Sequence, residues 1–101
     1  MPRARIEVRG WDDLLFQGEA EIRPTSGASG PAFEVEFLVP NVQVAQFQMR
    51  RGERVLVAVE DGAATPAWIG GFRFEPGASA SGFGGQGRIQ LLGNGAAPRG
   101  E

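Results

Sequence analysis

This sequence predicts an all-β domain, a small six-stranded closed or split β-barrel with at most one short helical turn. Three observations carry that expectation. Runs of residues alternate apolar and polar with period two, as in Phe33-Glu34-Val35-Glu36-Phe37 and in Val55 to Val59. Glycine and proline clusters punctuate the runs at Pro24 to Pro31, Pro40-Asn41, Asp61-Gly62 and Pro76 to Gly87. Glycines at 18, 70 and 71 fall inside the runs, at the kind of corner that lets a sheet curl onto itself and lose its open edges.

The elements follow in order. Ile6 and Val8 alternate with Arg5, Glu7 and Arg9, giving a short strand with a charged outer face that ends at Gly10. Trp11-Asp12-Asp13 reads as a turn. A second strand starts within Leu14-Leu15-Phe16, places Phe16, Gly18, Ala20 and Ile22 on one face, and is closed by Pro24. Thr25 to Pro31 reads as an exposed hairpin loop. Phe33, Val35, Phe37 and Val39 then form the clearest strand and the expected centre of the core, stopped by Pro40-Asn41.

Residues 42–49 satisfy two periods, since Val42-Gln43-Val44 alternates like a strand while Val42, Ala45, Gln46 and Met49 share a helical face. Either version is a connector laying Val44, Phe47 or Met49 over an open end of the sheet. Arg50 to Arg54 is a polar entry to the strand of Val55, Val57 and Val59. After Asp61-Gly62 the alternation resumes with Trp68, Gly70, Phe72 and Phe74 on one face, so the two strands form a hairpin with a long loop. Pro76 to Gly87 reads as a flexible loop around a single Phe83, and Arg88 to Leu91 as the last strand. Residues 1–93 are thus expected to make one barrel domain, with 94–101 a flexible tail. Phe33, Val35, Phe37, Val55, Val57, Phe72 and Phe74 are expected to share one core.

Composition narrows the chemistry. The chain has 101 residues, 42% apolar and 22% charged, which suits one globular domain. It has no Cys, His, Tyr or Lys, so thiolate nucleophiles, disulfides, imidazole bases, His or Cys zinc sites and Schiff-base lysines are all missing. All ten basic residues are Arg, and the net charge of -2 argues against a general nucleic-acid or anionic-membrane binder. No apolar run approaches the roughly 20 residues that span a bilayer, and the N-terminus lacks the apolar core of a secretory signal, so synthesis in the cytoplasm is the expectation.

The candidate motifs have bland readings. Gly82-Phe83-Gly84-Gly85-Gln86-Gly87 offers glycines, but a phosphate-cradling loop needs a helix after it and here a strand follows. Asp12, Asp13, Glu19 and Glu21 could be imagined as paired carboxylates, yet the two glutamates lie on the polar face of a strand with nothing to desolvate them. Trp11 and Trp68 read as core or barrel-mouth aromatics. No catalytic, cofactor-binding or metal-binding residue is assigned, and the chain is expected not to be an enzyme.

Arg50-Arg51-Gly52-Glu53-Arg54 has an Arg-x-x-x-Arg spacing that resembles cyclic-di-GMP-binding PilZ domains, themselves six-stranded barrels. Those domains add a downstream Asp/Asn-x-Ser-x-x-Gly, and neither Asp61-Gly62-Ala63-Ala64 nor Asn94-Gly95-Ala96-Ala97 has the Ser. A second resemblance covers most of residues 5–93. Ile6-Glu7-Val8-Arg9-Gly10-Trp11, Pro31 to Phe37, Met49 to Val57, Trp68 to Phe74 and Gly87 to Leu91 follow one another in an order that resembles the small β-barrel domain of phage baseplate hub and tail proteins. Arg51 stands where that family prefers Pro, and Arg9 where it has Asn before the glycine. The strand entry Arg50 to Val57 is similar also to the head-completion or stopper barrels of long-tailed phages.

These resemblances imply a virion structural protein, a tail, baseplate or head-tail connector barrel that works by multimeric packing in a homo-oligomeric ring. Its partners would be other virion proteins, with no nucleic acid, membrane or cofactor. Phe83, Arg88 and Arg99, with Arg50 and Arg51, are the residues expected to meet neighbours. The competing class is a cytosolic ligand-binding β-barrel module, PilZ-like for a nucleotide or similar to SH3 and OB folds.

Overall fold

In the computed structural model, which describes residues 3–27, 30–60, 62–75 and 86–98, the side chains of Asn41, Phe74 and Glu75 fall outside the description. Six antiparallel strands and one helix run in the order β1 (Arg3–Arg9), β2 (Leu14–Gly27), β3 (Gly30–Pro40), α1 (Asn41–Met49), β4 (Arg54–Val59), β5 (Thr65–Glu75) and β6 (Gln86–Asn94). The strands close into a ring, β1-β2-β3-β6-β5-β4, with β4 pairing back onto β1. The expected fold class is the observed one. Ring closure leaves few open edges, and the strands extend further than their punctuation suggested.

Pro24 does not end β2. The strand continues to Gly27, because beyond Glu21 it has lost β1 and is paired only with β3, so Pro24 sits at a sheet edge where its missing N–H is tolerated. The expected loop from Thr25 to Pro31 is mostly strand, and Gly27 pairs with Gly30. Residues 42–49, open between strand and helix in the sequence, are helical. At nine residues α1 is longer than a single turn. Pro40 lies just before its first turn, where fixed φ and a missing N–H do no harm. Gly52, at φ 87°, turns the chain back after it, and its N–H bonds the Ile69 carbonyl at 2.8 Å.

The core forms from the inward parity of every strand, and no buried polar or charged side chain lies among the described residues. Phe33, Val35, Phe37, Val55 and Val57 belong to it as expected, and Phe72 packs against it half-buried. Phe74, also expected there, is among the side chains outside the description. Trp68 does not share a face with Phe72. A bulge between Ile69 and Gly71 shifts the register, so Ala67 and Ile69 point inward before it and Phe72 after it, leaving Trp68 on the outer wall.

Both ends of the ring are plugged. At one end Val44 and Phe47 of α1 are buried, and Val44 occupies the space a side chain at position 87 of β6 would need. At the other, Phe33 lies opposite Gly93, and its ring fills the volume where a Cβ on Gly93 would stand. The segment after β6 was expected to bury little. Instead the Gly95 N–H bonds the Pro31 carbonyl at 2.8 Å, Ala97 packs against the core and Pro98 is buried, so the described part of that segment closes the barrel below Phe33.

Candidate functional site

Helix α1 is apolar on two opposite sides. Val44 and Phe47, three residues apart, face the barrel; Val42, Ala45 and Met49 lie on the opposite side, with Val42 76% and Met49 85% exposed. A lid helix that only plugged the barrel would carry polar residues on its outer stripe. Here that stripe carries three apolar residues, Val42, Ala45 and Met49, beside one polar one, Gln46.

The turn between β1 and β2 stands at the same end. Gly10 donates its N–H to the Asp13 carbonyl at 2.8 Å, which closes the turn and puts Trp11 at its tip, 99% exposed. Asp13 then holds Arg50, the residue just after α1, with Nη2 donating to Oδ2 at 3.1 Å. This ion pair ties the Trp11 turn to the C-terminal end of the helix. One end of the barrel thus presents a Trp, a Met, a Val and an Ala outward, with half-exposed Leu14 at the base of the turn. Burying a side chain of this size from water releases about 1.5–3 kcal/mol, which the isolated chain leaves unrealised. Trp and Met are among the side chains enriched at protein interfaces relative to the rest of the surface.

The outer wall of β2, β3 and β6 is charged and self-satisfied. Glu36 accepts hydrogen bonds from both Arg23 and Arg88, the latter at 3.3 Å, while Arg23 also reaches Glu34 at 3.1 Å and Gln90 donates to Glu34 at 3.2 Å. Glu21 and Glu36 stand opposite each other in register, so the guanidiniums offset a like-charge pair. A shallow concavity of about 280 Å³ beside this network is lined by Glu36, Phe72, Arg73, Arg88 and Gln90. Among the described residues no group of three or more carboxylates is gathered where it could hold a metal ion.

No family model, curated protein or solved structure matches this chain. The site therefore rests on its own geometry.

The residues expected to meet neighbours are dispersed. Arg50 is engaged by Asp13, Arg51 is exposed in the turn after α1, and Arg88 belongs to the Glu36 network on the wall. Phe83 and Arg99 lie outside the described residues. Trp11, read from sequence as a core or barrel-mouth aromatic, is not in the core: it stands almost fully exposed at the tip of a turn at one end of the barrel. Met49, one of three residues expected to cover the open end, faces away from it. The signal for this surface was present as two interleaved apolar spacings within 42–49, one of which had to be left outside.

Proposed function

We propose that this chain is a virion structural protein, a tail, baseplate or head-tail connector barrel that works by packing against neighbours in a homo-oligomeric ring, without catalysis or cofactor. The observation that carries the assembly reading is the outward apolar surface of Trp11, Val42, Ala45 and Met49, locked to the barrel by the Arg50–Asp13 pair. Trp and Met are enriched at protein interfaces, and Val42, Ala45 and Met49 sit on a helix. The virion assignment draws on the resemblance of Ile6 to Trp11, Met49 to Val57 and Trp68 to Phe74 to phage tail barrels.

Two features favour assembly over ligand binding. The concavities on the described surface are open and shallow, and Arg50, the first arginine of the nucleotide-binding spacing, is already engaged by Asp13. The test is to raise antibodies to the chain and label purified phage particles by immuno-electron microscopy. Label ringing the tail, baseplate or neck supports the reading. Label absent from particles, together with tight binding of a cyclic dinucleotide by the isolated chain, moves it to the binding-module class.

A further inference from the structure

We propose that the seam between the first half of β2 and the last half of β3 is a groove that takes an extended peptide segment from a partner chain, added as a strand. In a closed ring every strand has a neighbour on each side. Here β2 pairs with β1 through residues 14–21 but with β3 only from Glu21 to Gly27, and β3 residues 37–40 pair with β6 alone. Past the Glu21–Glu36 pair the two strands part. Residues 14–20 of one and 37–40 of the other thus carry strand edges with no strand neighbour among the described residues. A row of outward N–H and C=O groups on extended backbone is matched by another extended backbone, the basis of recognition by strand addition.

The side chains shape the gap rather than close it. Phe16 bends inward over Gly18 and stacks on Phe37 with ring centroids 4.0 Å apart, so the floor of the seam is apolar and packed. Outside that floor two concavities follow one another along the seam and share Phe16 and Gln17. The upper, of about 350 Å³, is lined by Leu14, Leu15, Val39 and Pro40; the lower, of about 210 Å³, reaches Glu19, Glu21 and Glu36. This is a continuous path with an apolar half and a charged half, in which Arg3 and Arg88 stand beside the three glutamates.

Charge selects the occupant. In the charged half Glu36 is held by Arg23 and Arg88 and Glu21 by Arg3, so Glu19 is the carboxylate left over: it is exposed, opposite Arg5 in register, and in no ion pair among the described residues. The segment that fits carries apolar side chains at alternate positions toward Leu14 and a basic residue toward Glu19. A second copy of β2 fits poorly, since residues 14–20 contain no basic side chain. This groove borders the α1 surface, with Leu14 at the boundary and Gln43 of α1 on its rim, and it does not depend on the virion assignment.

The experiment titrates the isotope-labelled full chain with a synthetic heptapeptide of alternating valine and threonine ending in arginine, followed by amide chemical shifts and hydrogen exchange. The expected result is shifts and slowed exchange concentrated in residues 14–20 and 37–40. Binding should weaken roughly threefold to fivefold when the terminal arginine becomes glutamate, and Glu19→Gln should erase that difference. Leu14→Ser, at a half-exposed position, should weaken both peptides while leaving the fold intact. A peptide N-methylated at alternate residues, equally apolar but unable to donate along one edge, should not bind. Equal binding by the N-methylated peptide, or shifts mapping to another face, would overturn the proposal. So would concentration-dependent pairing of the chain with itself through β2.

Discussion

Arg50 and Asp13 are 37 residues apart in sequence and 3.1 Å apart in space, and their ion pair joins the end of α1 to the turn that carries Trp11. The pair is partly solvent-exposed, at 34% and 42% of the two side chains, so its own contribution to folding is small. Its role in this account is placement. Arg50→Ala is therefore expected to change unfolding free energy by about 1 kcal/mol at most. The same substitution should free the Trp11 turn, read as a gain in nanosecond motion by tryptophan fluorescence anisotropy. An unchanged anisotropy beside unchanged stability would show that the pair holds nothing in place.

Phe37 is the centre of the core. It stacks on Phe16 and meets Phe47 edge-on at 5.6 Å, so it links β2, β3 and α1. Phe37→Ala should cost roughly 3–5 kcal/mol, a large share of the roughly 5–15 kcal/mol that holds a domain folded. Urea unfolding followed by circular dichroism measures it. A loss below about 1 kcal/mol would mean the strand faces are assigned wrongly.

Gly93 and Phe33 compete for one volume. Gly93→Ala should destabilise the barrel by about 1–3 kcal/mol through overpacking, and a smaller residue at 33 should relieve the clash. The measurement is a double-mutant cycle with Phe33→Leu. Additive effects in that cycle would place the cost in the backbone of β6 rather than in the ring above it.

Glu36, nearly buried between two arginines, is the charge whose loss matters most. Glu36→Gln should lower stability by about 1–3 kcal/mol, because Arg23 and Arg88 then face each other without a carboxylate between them. Thermal unfolding at low and at moderate salt checks it, the loss being larger at low salt. An unchanged melting temperature in both would show that Glu34 alone satisfies the network.

What the sequence made legible was parity. Period-two alternation located β1, β3 and β4 and their inward residues, since a half-buried strand must alternate. It failed where a local exception reset the count. The bulge at Gly70 moved Trp68 to the outer wall while leaving Phe72 inside, and a Gly-Gly pair within a strand announces such a place without saying which parity follows it. Pro24 and the residues after β6 were misread for a different reason. Whether a proline lies at an edge, and whether Ala97 and Pro98 find an open barrel end, depends on which strand stands beside them, and that is decided by long-range pairing. The candidate surface was half legible: the helical spacing of Val42, Ala45, Gln46 and Met49 was visible, but only the position of the barrel shows that this stripe faces out. Trp11 gave no local sign at all, because a tryptophan in a turn after a strand fits a barrel mouth as well as an interface.

If the apolar end formed by Trp11 and α1 is covered by a neighbouring copy, the chain associates with itself through that end. Sedimentation equilibrium of the full chain across a wide concentration range, compared with the double variant Trp11→Ser, Met49→Glu, tests it most directly. Both positions are almost fully exposed, so the variant should fold with unchanged melting temperature. The wild-type chain should associate with rising concentration and the variant should remain at the mass of one chain. A wild-type chain that stays monomeric throughout, or a variant that associates as strongly as the wild type, would contradict it.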